Sequence, residues 1–150
     1  MCVVIIDTNQ LHDFIKPDDK TPGMARLRKW IEKKGRVFVY PSSGKYLREI
    51  DKYKKAKEKL KDYITRGKAI IVDKEACEKA TREFEKRTIK SDDENMLGLA
   101  KAAHATLLCT KDDDLIEDFK RLIPGGKVYP KAEKAQKRTL RNYKCKNTCP

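Results

Sequence analysis

Residues 2–9 read CVVIIDTN. Val3 to Ile6 are four β-branched residues in a row with no polar interruption, the pattern of a strand covered on both faces, as in a parallel sheet. Asp7 ends the run. Thr8 or Asn9 then caps a short helix through about Phe14, and residues 16–22, rich in Pro, Asp and Lys, read as a loop. Met24, Leu27, Trp30 and Ile31 recur at helical spacing, and Gly35 stops that helix before a strand over Val37 to Tyr40. Strand, helix and strand in this order begin an α/β alternation.

The alternation continues along the chain. Ser42 or Ser43 opens a long lysine-rich helix to about Ile64, with Leu47, Ile50, Tyr53, Leu60 and Ile64 as an incomplete apolar stripe. Gly67 ends it, 69–72 form a short strand, and 74–87 form a charged helix that buries Ala76, Ala80 and Phe84. Ser91 and Glu94 make an S-x-x-E capping box for the next helix, whose apolar face is Met96, Leu97, Leu99, Ala100 and Ala103. Residues 106–109 are a strand, Thr110 caps a helix to about Leu122, and after the Pro124-Gly125-Gly126 turn Lys127 to Tyr129 read as an edge strand. Beyond Pro130 the pattern fades. Residues 131–150 carry seven Lys or Arg against one Glu and read as a basic tail appended to a domain of residues 1–130, either a nucleic-acid-contacting arm or a solvated terminus.

The chain has 150 residues, 39% hydrophobic and 39% charged, with a net charge of +13. A chain of this length fits one domain that buries roughly 68–70% of its unfolded surface. The charge implies a polyanionic partner. No basic amphipathic helix carries the bulky apolar residues a membrane surface requires, so nucleic acid is the better match. No apolar stretch approaches the roughly 18 residues of a membrane span, and no signal segment is visible, which implies a cytoplasmic protein. Five cysteines is an odd number; Cys2 and Cys109 fall in apolar runs, where a thiol acts as a small hydrophobe, and no disulfide framework is expected. Cys145 and Cys149 frame a C-K-N-T-C segment, a weak metal signal without further ligands.

Against this basic body stand acids at strand ends and helix starts: Asp7, Glu49, Asp93 and Asp112. If folding gathers them, four carboxylates make a site for a hard divalent cation, Mg²⁺ or Mn²⁺, without histidine. Only His12 and His104 exist, too few for a typical catalytic zinc triad. Phosphodiester hydrolysis at neutral pH needs an ionised water and neutralisation of charge on the phosphoryl oxygens, and such a cation supplies both. Taken singly, each acid has a plainer role: Asp92, Asp93, Asp112 and Asp113 suit a helix N-terminus, Asp7 an Asx-turn, and Glu49 a pair with Lys45 or Lys52. What favours the metal site over these plainer roles is the order in which the acids fall, through the family resemblance it carries. Trp30 reads as core, His104 as a helix end, and Tyr46 and Tyr53, seven residues apart, as packing or a dimer face.

The order C-V-V-I-I-D-T-N, a mid-chain helix with Glu49, S-D-D-E-N-M-L-G-L-A and L-L-C-T-K-D-D-D-L resembles the PIN-domain nuclease superfamily over residues 2 to about 129. The two late motifs are the more specific part. The resemblance implies a three-layer α/β/α fold with a central twisted parallel sheet of about five strands. It implies metal-site acids at Asp7, Glu49, Asp93 and Asp112, an auxiliary acid at Asp114, and a brace at Asn9. Asp92 adjoins Asp93 and Asp113 fills the gap to Asp114, so the register is open by one residue; Asp93 keeps the family offset to Met96 and Leu97, and a one-residue slip turns a side chain by about 100°.

The expected activity is a metal-dependent endoribonuclease, with RNA as substrate and DNA as the second choice, and with catalysis by Asp7, Glu49, Asp93 and Asp112. Thr110 supports the site, and Lys45, Arg48, Lys90 and Lys111 lie beside the acids to take phosphates. Many relatives are toxins held by an antitoxin protein and pair as homodimers. The competing expectation is a non-catalytic basic RNA- or DNA-binding module whose acids are remnants. Haloacid-dehalogenase-type phosphotransfer is disfavoured, because the position two after Asp7 is Asn9.

Overall fold

The computed structural model describes residues 1–16 and 20–144; Cys145 and Cys149 lie outside them. Five strands form one all-parallel sheet in the order β3-β2-β1-β4-β5. They are β1 (Cys2–Ile6), β2 (Arg36–Pro41), β3 (Ala69–Val72), β4 (Leu107–Cys109) and β5 (Lys127–Val128). This is the parallel α/β architecture expected from the sequence. The run of β-branched residues at 3–6 takes the centre, and every residue of β1 is buried, which is why that strand tolerates no polar side chain.

The helices between strands are α1 (Thr8–Ile15), α2 (Pro22–Ile31), α3 (Lys45–Asp51), α4 (Lys54–Thr65), α5 (Lys74–Glu85), α6 (Glu94–Ala102) and α7 (Asp113–Leu122), followed by α8 (Glu133–Asn142). From β1 the chain steps outward through β2 to β3, then crosses β1 to build β4 and β5 on its other side. Because parallel crossovers are right-handed, the reversal puts α1–α4 on one face and α5–α7 on the other. The strand order switches between β1 and β4, where loops from neighbouring strand ends diverge and leave a crevice. Asp7 follows β1 and Thr110 follows β4 at that point.

Three local features differ from the sequence expectation. The long helix from Ser42 is two helices, with Gly44 as the first N-cap and a break at Lys52 and Tyr53. Its cause is a phase change. The stripe Tyr46, Ile50 would continue at Lys54 and Lys57, whereas burial resumes at Ala56, Leu60 and Tyr63, so the chain must turn to keep lysine out of the core. Second, Ser91 is not the cap of α6; Asp93 holds the N-cap position, and the Ser91 hydroxyl donates to Asp118 instead. Likewise Asp112 rather than Thr110 caps α7, accepting from the Asp114 and Leu115 amides.

The third difference is the tail. Residues Glu133–Asn142 are helical, Leu140 and Gln136 are buried, and the Trp30 indole N–H donates to the Leu140 carbonyl at 3.1 Å. Trp30 also meets Tyr143 edge-on. The apolar residues Leu140 and Tyr143, too few to signal a stripe, are the ones that dock this helix on α2. Cys77 and Cys109 are free and buried; Cys2 is disulfide-bonded, so it does not act as the free thiol expected in β1. Among the described residues no helix is long and apolar enough to cross a membrane.

Candidate metal and nuclease site

Asp7 leaves the central strand with an extended backbone and serves as the N-cap of α1. Its neighbour across the sheet, Thr110, is buried at the end of β4 and donates its hydroxyl to Asp7 Oδ2 at 2.6 Å. The same Thr110 oxygen accepts the Asp112 amide at 3.1 Å and the Asn9 side-chain amide at 3.4 Å. One hydroxyl therefore ties the ends of β1 and β4 together and sets where Asp112 begins α7.

Helix α3 delivers the third acid. The Tyr46 phenol is buried and donates to the Ile6 carbonyl at 2.7 Å, which pins α3 under the end of β1. Glu49 lies one turn later on that helix and accepts a short hydrogen bond from the Thr8 hydroxyl. Asp7 Oδ1 is 3.4 Å from the same hydroxyl, so Thr8 stands between two carboxylates. Thr8 was not expected in the site: beside an N-cap aspartate, its hydroxyl reads as a helix cap, and only the fold shows the glutamate it faces.

The fourth acid, Asp93, precedes α6, and Lys45 Nζ lies 3.9 Å from its Oδ1. One pocket of about 200 Å³ is lined by Asp7, Glu49, Asp93 and Asp112 together with Thr8, Asn9 and Lys45. Four segments distant in sequence thus supply its acidic wall. Asp92, by contrast, is exposed and outside the pocket, as are Asp113 and Asp114. Asp114 acts electrostatically on Lys90, and Lys90 is itself paired with Glu117 at 2.7 Å. Lys111 Nζ is 3.7 Å from Asp13, and Arg48 is exposed beyond the pocket wall.

The electrostatics are those of a crowded anionic site. Burial, then repulsion from Asp7 and a hydrogen bond to Asp112, push the Asp93 carboxyl up to about 6, against the opposing pull of Lys45. Burial also raises Asp7, opposed by hydrogen bonds from Thr110 and Thr8 and assisted by Glu49. Both acids resist ionisation because the charged form is desolvated beside other carboxylates. Among the described residues, no three Asp, Glu, His or Cys side chains stand grouped as a set that could hold a metal ion. The acids line the walls of a common pocket instead of converging on a single point.

The chain matches no protein-family model and no curated protein. Among solved structures it is similar to the crystal structure of VapBC2 from Rickettsia felis bound to a DNA fragment from their promoter, with 20% identity over 84% of this chain and 96% of that chain and a TM-score of 0.49.

Proposed function

We propose that this chain is a Mg²⁺- or Mn²⁺-dependent nuclease that hydrolyses phosphodiester bonds of RNA, acting as a toxin restrained by an antitoxin protein. The observation that carries the reading is the shared pocket of Asp7, Glu49, Asp93 and Asp112 at the switch in strand order. The resemblance of the flanking motifs to PIN-domain nucleases supports it. The donor set is all oxygen, which suits a hard cation, and the raised Asp7 and Asp93 carboxyls are those a dication would discharge. When bound, such a cation supplies an ionised water and neutralises charge on the phosphoryl oxygens.

Asp7 and Asp112 would hold the cation, with Asp93 and Glu49 completing the set or orienting the attacking water, while Asp114, outside the pocket, would act only at a distance. Thr110 and Asn9 fix the Asp7 and Asp112 loops. Lys45, at the pocket wall, takes a phosphate oxygen, with Arg48, Lys90 and Lys111 holding flanking phosphates. The net charge of +13 raises the local concentration of a polyanion and favours association. The cytoplasm is the proposed location, and a homodimer joining two basic surfaces is the proposed assembly.

Purified protein incubated with RNA should produce fragments with Mn²⁺ and none with EDTA, and Asp7→Asn should abolish cutting. Undiminished cleavage by that variant would sink the reading. A second reading, a basic RNA- or DNA-binding module without catalysis, is favoured by the spread of the carboxylates around the pocket. It requires salt-sensitive binding indifferent to divalent cations and no cleavage at all.

A further inference from the structure

Beside the carboxylate pocket lies a second cavity of about 300 Å³, which shares Thr8, Asn9 and Glu49 with the first and adds His12, Lys52 and Tyr53. Tyr53 lies in the break between α3 and α4 and is 54% exposed. Its ring stands 5.5 Å from the His12 imidazole at a 38° tilt. Past His12 a further cavity continues between α1 and α4, with Lys16, Lys55 and Lys59 on its walls beside Glu58 and Asp62. Moving away from the carboxylates, a ligand meets an aromatic pair and then lysines.

An exposed aromatic at this position contributes little to the core, which Tyr46, Tyr63 and Phe14 already fill. Along the two cavities Lys16, Lys52, Lys55 and Lys59 outnumber Glu49, Glu58 and Asp62, so the surface suits a partner that alternates flat rings with negative charge. We infer that Tyr53, bracketed by His12, is a stacking platform for an unpaired nucleobase next to a phosphate that Lys45 takes at the wall of the carboxylate pocket. Lys55 and Lys59 then follow the departing backbone. A paired base offers no free face without being unstacked first, so the site selects single strands. A second copy of the chain is a poorer occupant of this face, because Lys52, Lys55 and Lys59 would meet their own like charges.

This inference deepens the nuclease reading and rests on it for the position of the phosphate. It is tested in EDTA, by fluorescence anisotropy of a short single-stranded RNA with wild type, Tyr53→Ala, Tyr53→Phe and His12→Ala. Circular dichroism checks that each variant is folded. Tyr53→Ala should weaken binding by about tenfold, on the scale of one base–aromatic stack, and Tyr53→Phe should restore it. An abasic strand of equal charge should bind wild type and Tyr53→Ala alike, and the duplex should bind more weakly than the single strand. Equal binding of the RNA by wild type and Tyr53→Ala overturns the platform, as does a variant that changes only the oligomeric state. Cleavage with Mn²⁺ that persists alongside ring-independent binding leaves the nuclease reading standing and removes the platform. Ring-dependent binding without cleavage does the reverse.

Discussion

Asp118 Oδ2 accepts hydrogen bonds from both the backbone amide and the hydroxyl of Ser91, at 2.8 Å each. The carboxylate is fully buried on α7 and also accepts the Lys90 amide at 3.1 Å. Arg121 closes the set from one turn further along the helix. Asp118 therefore anchors the loop that ends at Asp93 to the same helix whose N-cap is Asp112. Burial raises its carboxyl, but the hydrogen bonds from Ser91, Lys90 and Arg121 outweigh it and hold the group below the usual carboxylate range.

Asp118→Ala should leave the buried Ser91 amide unpaired and destabilise the fold by about 1–3 kcal/mol, with a smaller loss from the partly exposed Lys90 amide. A depressed carboxyl contributes stability that is present above its unfolded value and lost as pH falls through the folded one. Urea unfolding at pH 7 and at pH 3 should therefore show a large gap between wild type and variant at pH 7 and a smaller one in acid. A gap of equal size at both values would refute the anchoring role.

Asp112 has two roles that one substitution separates. Asparagine caps helices as well as aspartate, so Asp112→Asn should keep the hydrogen bonds to the Asp114 and Leu115 amides and change stability by only about 0.5 kcal/mol, a shift typical of harmless substitutions. Activity with Mn²⁺ should nevertheless drop by about a hundredfold or more, the loss seen when one group stabilising a transition state is removed. Retained cleavage with retained stability would reduce Asp112 to a cap.

The raised Asp93 carboxyl fixes a sign for pH. The folded state holds this proton more tightly than the unfolded chain does, so its contribution is full below the ordinary value of 3.8 and is lost as pH rises through about 6. Asp93→Asn, permanently neutral, does not lose it. Without divalent cations, the variant should melt above wild type at pH 7.5, by about 2–4 °C per kcal/mol regained, with solvent screening trimming the effect because Asp93 is partly exposed. At pH 4 the two curves should nearly coincide. A variant less stable than wild type at pH 7.5 would contradict the crowding of these acids.

The first three strands were readable because their runs are short, apolar and hold β-branched residues, and β4 because Leu107, Leu108 and Cys109 form an apolar run; β1 begins and ends where the pattern of residues 2–9 places it. The break at Tyr53 was not, because no Gly or Pro marks it and only the phase of burial does. That Asp7, Glu49, Asp93 and Asp112 share one pocket could be expected from their order, since Asp7 closes a strand, Asp93 and Asp112 precede helices and Glu49 lies on one. Thr8 and Asp118 were missed for different reasons. Thr8 acts through a residue forty-one positions away, which no local pattern encodes. Asp118 did leave a trace: it is an acid between Leu115 and Phe119 on the buried face of an amphipathic helix, where a charge needs partners. The docking of α8 on Trp30 was hidden by a composition dominated by lysine and arginine.

Helices α5 and α6 approach each other closely at Gly98, where an added Cβ would fall 2.7 Å from the Thr81 backbone nitrogen. Gly98→Ala should therefore destabilise by about 1–3 kcal/mol through overpacking, despite alanine's better helix propensity. Because Asp93 is the N-cap of α6, the variant should also weaken cation binding. Thermal melts and Mn²⁺ titrations of this variant check both; a more stable Gly98→Ala would show that the helices can separate freely.

Whether the carboxylates of this pocket bind a cation is tested most directly by counting bound Mn²⁺ from the electron paramagnetic resonance signal of the free ion, titrated into the metal-free protein at pH 7.5. The account predicts saturable binding by wild type, loss in Asp7→Asn, and weakening in wild type as pH falls below about 6, where Asp93 takes up its proton. Wild-type protein that leaves all the Mn²⁺ free, or Asp7→Asn that binds as wild type does, would contradict it.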